Sequence, residues 1–184
     1  IFATLTVSSN ADSGVGSLRE AISTAQPGDT ITFASSLANQ TITLSSQLEI
    51  DKNLTIDGAA AAGLTLSGNN VTRVSFAAVD FTIKNLIIAN GKTTLTGEDG
   101  AGGGIKTASS TKLTVDTVEF RNNVAGGEGG GAIFAGYRSN NTIINSTFDN
   151  NDGTPGNSER GGGAIAVKSE GTTTVMSSIF TNNK

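Results

Sequence analysis

The sequence predicts an all-β fold, a right-handed parallel β-helix (solenoid) with one short N-terminal capping α-helix. Three observations predict it. A ten-residue segment recurs without gaps, asparagines close the copies, and a glycine run opens each following half-turn. The copies are Phe81-Thr-Ile-Lys-Asn-Leu-Ile-Ile-Ala-Asn90, Leu113-Thr-Val-Asp-Thr-Val-Glu-Phe-Arg-Asn122, Asn141-Thr-Ile-Ile-Asn-Ser-Thr-Phe-Asp-Asn150 and Thr173-Thr-Val-Met-Ser-Ser-Ile-Phe-Thr-Asn182, with a weaker one at Leu54-Thr-Ile-Asp-Gly58. Their anchoring threonines, Thr55, Thr82, Thr114, Thr142 and Thr174, stand 27, 32, 28 and 32 residues apart. Short β-branched runs at this period, punctuated by Gly and Asn, mark coils that each bury a core only by stacking on the next.

At the amino terminus, Leu5-Thr-Val7 and Thr30-Ile-Thr-Phe33 read as the first strands. Between them Ser17-Leu-Arg-Glu20 fits a capping box, and Leu18, Ala21, Ile22 and Ala25 fall at i, i+3, i+4 and i+7. That spacing predicts the chain's one helix, ended by Gln26-Pro-Gly-Asp29. A solenoid end exposes its apolar stack and unpaired strand edges, so the helix is expected to be a lid there, with Arg19 and Glu20 as capping and surface charge. Residues 1–40 form this cap and residues 41–184 the coils, in a single domain.

Within the repeat, Ile83, Val115, Ile143 and Val175 follow the threonine by one step, and Ile88, Phe120, Phe148 and Phe180 by six. These are inward columns, each side chain about 4.8 Å from its equivalent in the next coil. Asn90, Asn122, Asn150 and Asn182 follow by eight, with a second asparagine at Asn123, Asn151 and Asn183. Stacked amides there are expected to satisfy buried backbone groups at a turn, with Asn150 in the ladder. Gly102-Gly-Gly-Ile105, Gly129-Gly-Gly-Ala-Ile133 and Gly161-Gly-Gly-Ala-Ile165 complete the coils, where glycine permits tight turns and close approach. From each motif isoleucine to the next threonine is always 9 residues, whereas the Asn-to-Gly intervals are 12, 7 and 11. One side is held constant and the other elaborated. The chain stops at Phe180-Thr-Asn-Asn-Lys184, just after a repeat motif and before any closing segment, so it reads as a fragment truncated at its carboxyl end, with the last coil expected to be open and prone to self-association.

Composition narrows the chemistry. The 184 residues include no Cys, His or Trp, which removes disulfides, thiol catalysis, His-based triads and ordinary zinc sites. A net charge of −4 and an aromatic content of only 5% argue against a nucleic-acid partner. No stretch approaches the roughly 20 apolar residues of a membrane span.

Ala11-Asp-Ser-Gly14, Gly16-Ser-Leu-Arg-Glu-Ala-Ile22 and Gly28-Asp-Thr-Ile-Thr-Phe33 resemble the CSLREA element that begins many exported bacterial repeat proteins, with Gly16 or Ser17 standing where that name has Cys. The repeats Gly130-Gly-Ala-Ile133 and Gly162-Gly-Ala-Ile165, with Phe120-Arg-Asn-Asn123, Phe148-Asp-Asn-Asn151 and Phe180-Thr-Asn-Asn183, resemble the GGA[ILV] and FxxN repeats of polymorphic outer-membrane proteins. The first glycine run departs from that pattern, since Gly104 leads directly to Ile105. These resemblances imply a right-handed β-helix that is secreted or displayed on a bacterial cell surface, with adhesion to a host or matrix protein or a glycan.

The leading expectation is therefore a non-enzymatic binding module. A polysaccharide lyase or hydrolase is the alternative, and its paired carboxylates would be Asp116 with Glu119 or Asp149 with Asp152, with Arg121 and Arg138 as available bases. Ice binding through the threonine column is a third reading, weaker because the column is one residue wide. In the binding reading, the segments of variable length project from one edge and carry Glu98, Asp99, Glu128, Asp152, Glu159 and Arg160. Counted back from the glycine runs, Asp99, Glu128 and Glu159 could stack, and like charges so close would call for calcium or an arginine between them; no other cofactor is expected.

Overall fold

The computed structural model describes residues 2–156 and 161–184. Its long sheet runs in the order Thr4–Val7, Thr30–Phe33, Leu54–Asp57, Phe81–Ala89, Leu113–Arg121, Asn140–Ile144 and Thr172–Met176, all parallel. A second parallel sheet stacks Leu48–Ile50, Ser75–Ala77, Ile105–Thr107, Ile133–Ala135 and Ile165–Val167. The chain is a parallel β-helix. Threonine pairs with threonine through Thr4, Thr30, Thr55, Thr82, Thr114, Thr142 and Thr174, two coils further than the sequence alignment reaches.

The inward columns fall where the repeat puts them. Ile56, Ile83, Val115 and Ile143 are buried, as are Ile88, Phe120 and Phe148. The rings of Phe120, Phe148 and Phe180 stack at 4.8 and 4.6 Å, within 3° of parallel. Three of the eight phenylalanines thus form one column shared between coils.

Each ten-residue copy is bent rather than straight. Asn85, Thr117, Asn145 and Ser177 hold positive φ between 48° and 59°, which turns the strand between the threonine and phenylalanine columns. A β-branched residue pays most for that geometry. At Thr117 the hydroxyl donates to the neighbouring Asp116 carboxylate at 2.9 Å.

The asparagine ladder requires a correction. Asn90, Asn122, Asn150 and Asn182 are the left-handed corner residues, with φ of 52–56°, and Asn122 and Asn150 are exposed. The Asn150 amide donates to Asn122 Oδ1 at 2.7 Å, but on the surface. The buried ladder is the second column. Asn151 Oδ1 accepts from the Asn123 backbone N–H at 3.1 Å and from its side-chain amide at 2.9 Å, while Asn151 Nδ2 donates to the Phe120 carbonyl at 3.1 Å. Asn183 repeats the arrangement on Asn151 and Phe148. The first asparagine makes the turn, and the second lies inside it.

The glycine runs divide the labour similarly. Gly102 and Gly130 hold φ of 67°, and a Cβ on Gly103 would lie 2.5 Å from the Val124 carbonyl oxygen. Only glycine gives both the turn and the approach.

The helix spans Leu18–Thr24, with Ser17 Oγ accepting from the Glu20 N–H at 3.2 Å; the Glu20 carboxylate reaches back to the Gly16 N–H at 2.6 Å. Leu18, Ala21, Ile22 and Ala25 are buried in the common core. Among the described residues it is the only α-helix, beside three 3₁₀ turns. It lies along Leu48–Ile50 at the amino-terminal edge of the second sheet. Arg19 donates to the carbonyls of Ser46 and Gln47, and Lys52 donates to those of Ile22, Ser23 and Ala25, which closes the helix's carboxyl end.

Candidate binding site on the loop edge

The segments of variable length leave the coil together, since Lys92 pairs with Val124 and Val124 with Asp152 in parallel bridges. The first does not project freely. Residues 94–101 fold back over the outer face of the second sheet, whose outward column is Glu49, Phe76, Lys106, Phe134 and Ala166. Phe134 is consequently 2% exposed although it points away from the core, because it packs in a small cluster with Ala101 and Ala166.

Three cations fasten this strap. Arg73, 8% exposed, donates to the carbonyls of Asp99 at 2.6 Å, Ala101 at 2.9 Å and Gly102 at 2.8 Å, and to Gln47 Oε1 at 2.6 Å. Burial pulls its pKa down, with Glu49 and Asp99 opposing. Lys106 donates to the Glu98 carbonyl at 2.8 Å and lies 3.8 Å from Asp99 Oδ1. Burial and then the Arg73 charge depress its pKa, against Glu98 and Asp99. Lys168, just after the strand Ile165–Val167 two coils beyond Lys106, pairs with the Glu98 carboxylate. The short second loop is sewn to the strap, with Gly127 N–H donating to the Gly100 carbonyl and Glu128 N–H to the Gly97 carbonyl, both at 2.9 Å.

Of the residues singled out from sequence, the structure brings Glu98 and Asp99 against Lys168 and Lys106. Lysines thus supply the charge compensation for these two carboxylates. The Asp99 side chain remains 87% exposed. Glu128 is half-buried beside Phe134, Ala166, Val167, Lys168 and Ser169, with which it lines a cavity of about 400 Å³. Its Oε2 meets no hydrogen-bond donor among the described residues. Asp152 caps the turn at Thr154–Gly156 by accepting from Thr154 N–H at 2.9 Å and Oγ1 at 2.6 Å. Glu159 and Arg160 lie outside the described residues. Among the described residues no group of three or more acidic side chains is placed to hold a metal ion.

Sequence reasoning missed Arg73, Lys106 and Lys168. Strand alternation after Ile105 would have put Lys106 outside, but nothing local marks Arg73, whose strap partners come 26 to 29 residues later and whose partner Gln47 comes 26 residues earlier.

The carboxylates considered for hydrolysis are held in other roles. Asp116 accepts from Asn145 at 3.1 Å, and Glu119 pairs with Arg121 at 3.3 Å. Hydrogen bonds from Thr181 and then Asn182 keep Asp149 below the usual carboxylate pKa. In a glycosidase pair a lowered carboxylate suits the base or nucleophile, and the general acid needs the opposite shift. Arg138 pairs with Glu170 at 2.7 Å and lies over the Tyr137 ring.

A solenoid whose coils repeat a constant face and elaborate one edge is a β-helix scaffold carrying surface loops. Residues 41–184 match the family model for the right-handed β-helix region, and the chain belongs to that family. No curated protein matches the sequence. Among the described residues no helix is long and apolar enough to cross a membrane.

Proposed function

We infer that this chain is a non-enzymatic β-helix module of a secreted or bacterial cell-surface protein, binding a host or matrix protein or a glycan through its loop edge. The observation that carries this reading is the strap at 94–101. Three cations from separate coils hold it in one shape while Asp99 and Leu95, which is 60% exposed, stay available to a partner. Fixing a loop before binding lowers the ordering cost of association. The binding surface so defined comprises Glu98, Asp99 and Glu128 with Leu95, and extends toward the segment holding Asp152, Glu159 and Arg160. Calcium at Asp99, Glu128 and Glu159 is a subsidiary proposal, supported by the unmatched Glu128 oxygen.

Hydrolysis or lysis at the long sheet is the alternative reading, with Asp149 and Asp116, which accept hydrogen bonds from Thr181 and Asn145, as its carboxylates. Incubation with purified matrix proteins and a panel of acidic and neutral polysaccharides tests the choice. Retention without new reducing or unsaturated ends supports a binding module. Release of such ends, abolished by Asp149→Asn or Asp116→Asn, would establish the enzyme reading instead.

A further inference from the structure

Val71 and Leu95 sit on consecutive coils, 66% and 60% exposed, and line one notch of about 160 Å³. Both walls are held in place. Asn69 and Asn70 keep φ of 54° and 59°, and the N–H groups of Val71 and Thr72 both donate to the Gly68 carbonyl, at 2.9 and 3.1 Å, while Leu95 belongs to the fastened strap. The volume falls below the roughly 300–1,000 Å³ of pockets that enclose a whole small molecule. It suits one group of a larger partner.

The charge in the notch is unbalanced. Arg73 and Lys92 both line it, and neither forms an ion pair among the described residues. Arg73 donates to the carbonyls of Asp99, Ala101 and Gly102 and to Gln47 Oε1, all uncharged, which leaves one of its five N–H groups over. The acids whose charge acts on it are engaged elsewhere, Glu49 by Gln47 Nε2 at 2.6 Å and Asp99 by Lys106. Buried charges are normally paired, so a cation 8% exposed and met only by dipoles leaves room for an anion. The groups still available in the notch, that Arg73 N–H, the half-buried Lys92 ammonium and the exposed Thr94 hydroxyl, can all donate.

We propose that this notch receives the carboxylate of an aspartate or glutamate on a protein partner, with an aliphatic neighbour of that residue packing on Val71 and Leu95. Donors gathered on one small space suit an oxyanion, and charge-assisted hydrogen bonds are the strong ones. The aliphatic walls favour a protein over an acidic glycan, since a sugar ring takes an aromatic platform. The chain has no Trp, and its one tyrosine, Tyr137, is engaged by Glu170 and Arg138 in the turn after Ile133–Ala135. The proposal rests on the loop-edge reading and names the partner chemistry there.

Amide NMR of the 184-residue chain titrated with acetyl-Asp-Leu-amide tests it. Saturable shifts are expected at residues 71–73 and 92–95, and none with acetyl-Asn-Leu-amide, which keeps the shape and removes the charge. Lys92→Gln should weaken binding roughly tenfold or more, the scale of one hydrogen bond to a charged group. Leu95→Ser should weaken it as well. Both variants should keep the wild-type melting midpoint, because neither side chain fastens the strap. Absence of shifts with the Asp-Leu probe, equal shifts with the Asn-Leu probe, or binding unchanged by Lys92→Gln would each overturn the proposal. Tighter binding of trigalacturonate at the same residues would overturn it too, by making the ligand a glycan. Retention on matrix protein separates this from the wider reading: retention kept with Lys92→Gln and lost with Leu95→Ser plus Asp99→Asn removes the carboxylate notch and leaves the loop edge as the binding surface.

Discussion

Replacing Asn151 by leucine isolates the buried ladder. The side chain has no measurable exposure, and its oxygen accepts from the Asn123 backbone N–H while its amide donates to the Phe120 carbonyl. Leucine fills a similar space but leaves the Asn123 N–H without its acceptor, while the Phe120 carbonyl, in a strand paired with Thr147–Asp149, loses a donor. At about 1–3 kcal/mol for a buried unsatisfied group, the expected loss is about 1–3 kcal/mol, a sizeable share of the roughly 5–15 kcal/mol that holds a domain together. Asn150→Gly is the matched comparison one residue away. Its position is exposed and left-handed, so glycine fits the backbone and the change should cost less than about 1 kcal/mol. Urea unfolding followed by far-ultraviolet circular dichroism reads both, with an unchanged slope reporting that the coils still unfold together. A loss below about 1 kcal/mol for Asn151→Leu, or an equal loss for Asn150→Gly, would refute the ladder argument.

Other outcomes follow from the same geometry. Phe148→Ala should lower stability by about 3–5 kcal/mol, since the ring is fully buried between two stacked neighbours; a loss near zero in urea unfolding would place the core elsewhere. Lys52→Met should cost about 1 kcal/mol by uncapping the helix, seen as faster amide exchange at Ser23 to Ala25 with the coils unaffected. Asp29 is held below the usual carboxylate range by the N–H groups of Gln26 and Ala3. Because its folded pKa is depressed, it stabilises above the unfolded value of about 3.9, and that contribution is lost as pH falls through the folded pKa. Asp29→Asn should therefore narrow the difference in urea midpoint between pH 7 and pH 3, and an unchanged difference would contradict this. For calcium, a melting midpoint unmoved by calcium or a chelator, in wild type and in Glu128→Gln, would remove the metal proposal.

The coils were legible because one constraint repeats: residues stacked at a single strand spacing must be alike, so Thr82, Thr114 and Thr142 align in sequence as they align in space. The helix was legible because Ser17, Leu18, Ala21 and Ile22 carry local signals of capping and burial. The asparagine pair was misassigned because two adjacent amides fit one pattern, and only the positive φ at Asn150 separates corner from ladder. The bend at Asn85, Thr117, Asn145 and Ser177 carries no consistent residue type. The strap was hidden for another reason: its fastening joins Arg73 and Lys168 to residues 98–102, contacts fixed by coil register rather than by local pattern.

Binding by surface variants tests the central claim most directly. On immobilised matrix protein or glycan that retains the wild-type chain, Leu95→Ser with Asp99→Asn should abolish retention, because both side chains are exposed on the strap and neither fastens it through its own side-chain hydrogen bond. Thr82→Ala with Thr114→Ala, on the outer face of the long sheet, should leave retention intact at the same melting midpoint. Retention lost with the threonine pair and kept with the strap pair would contradict the account.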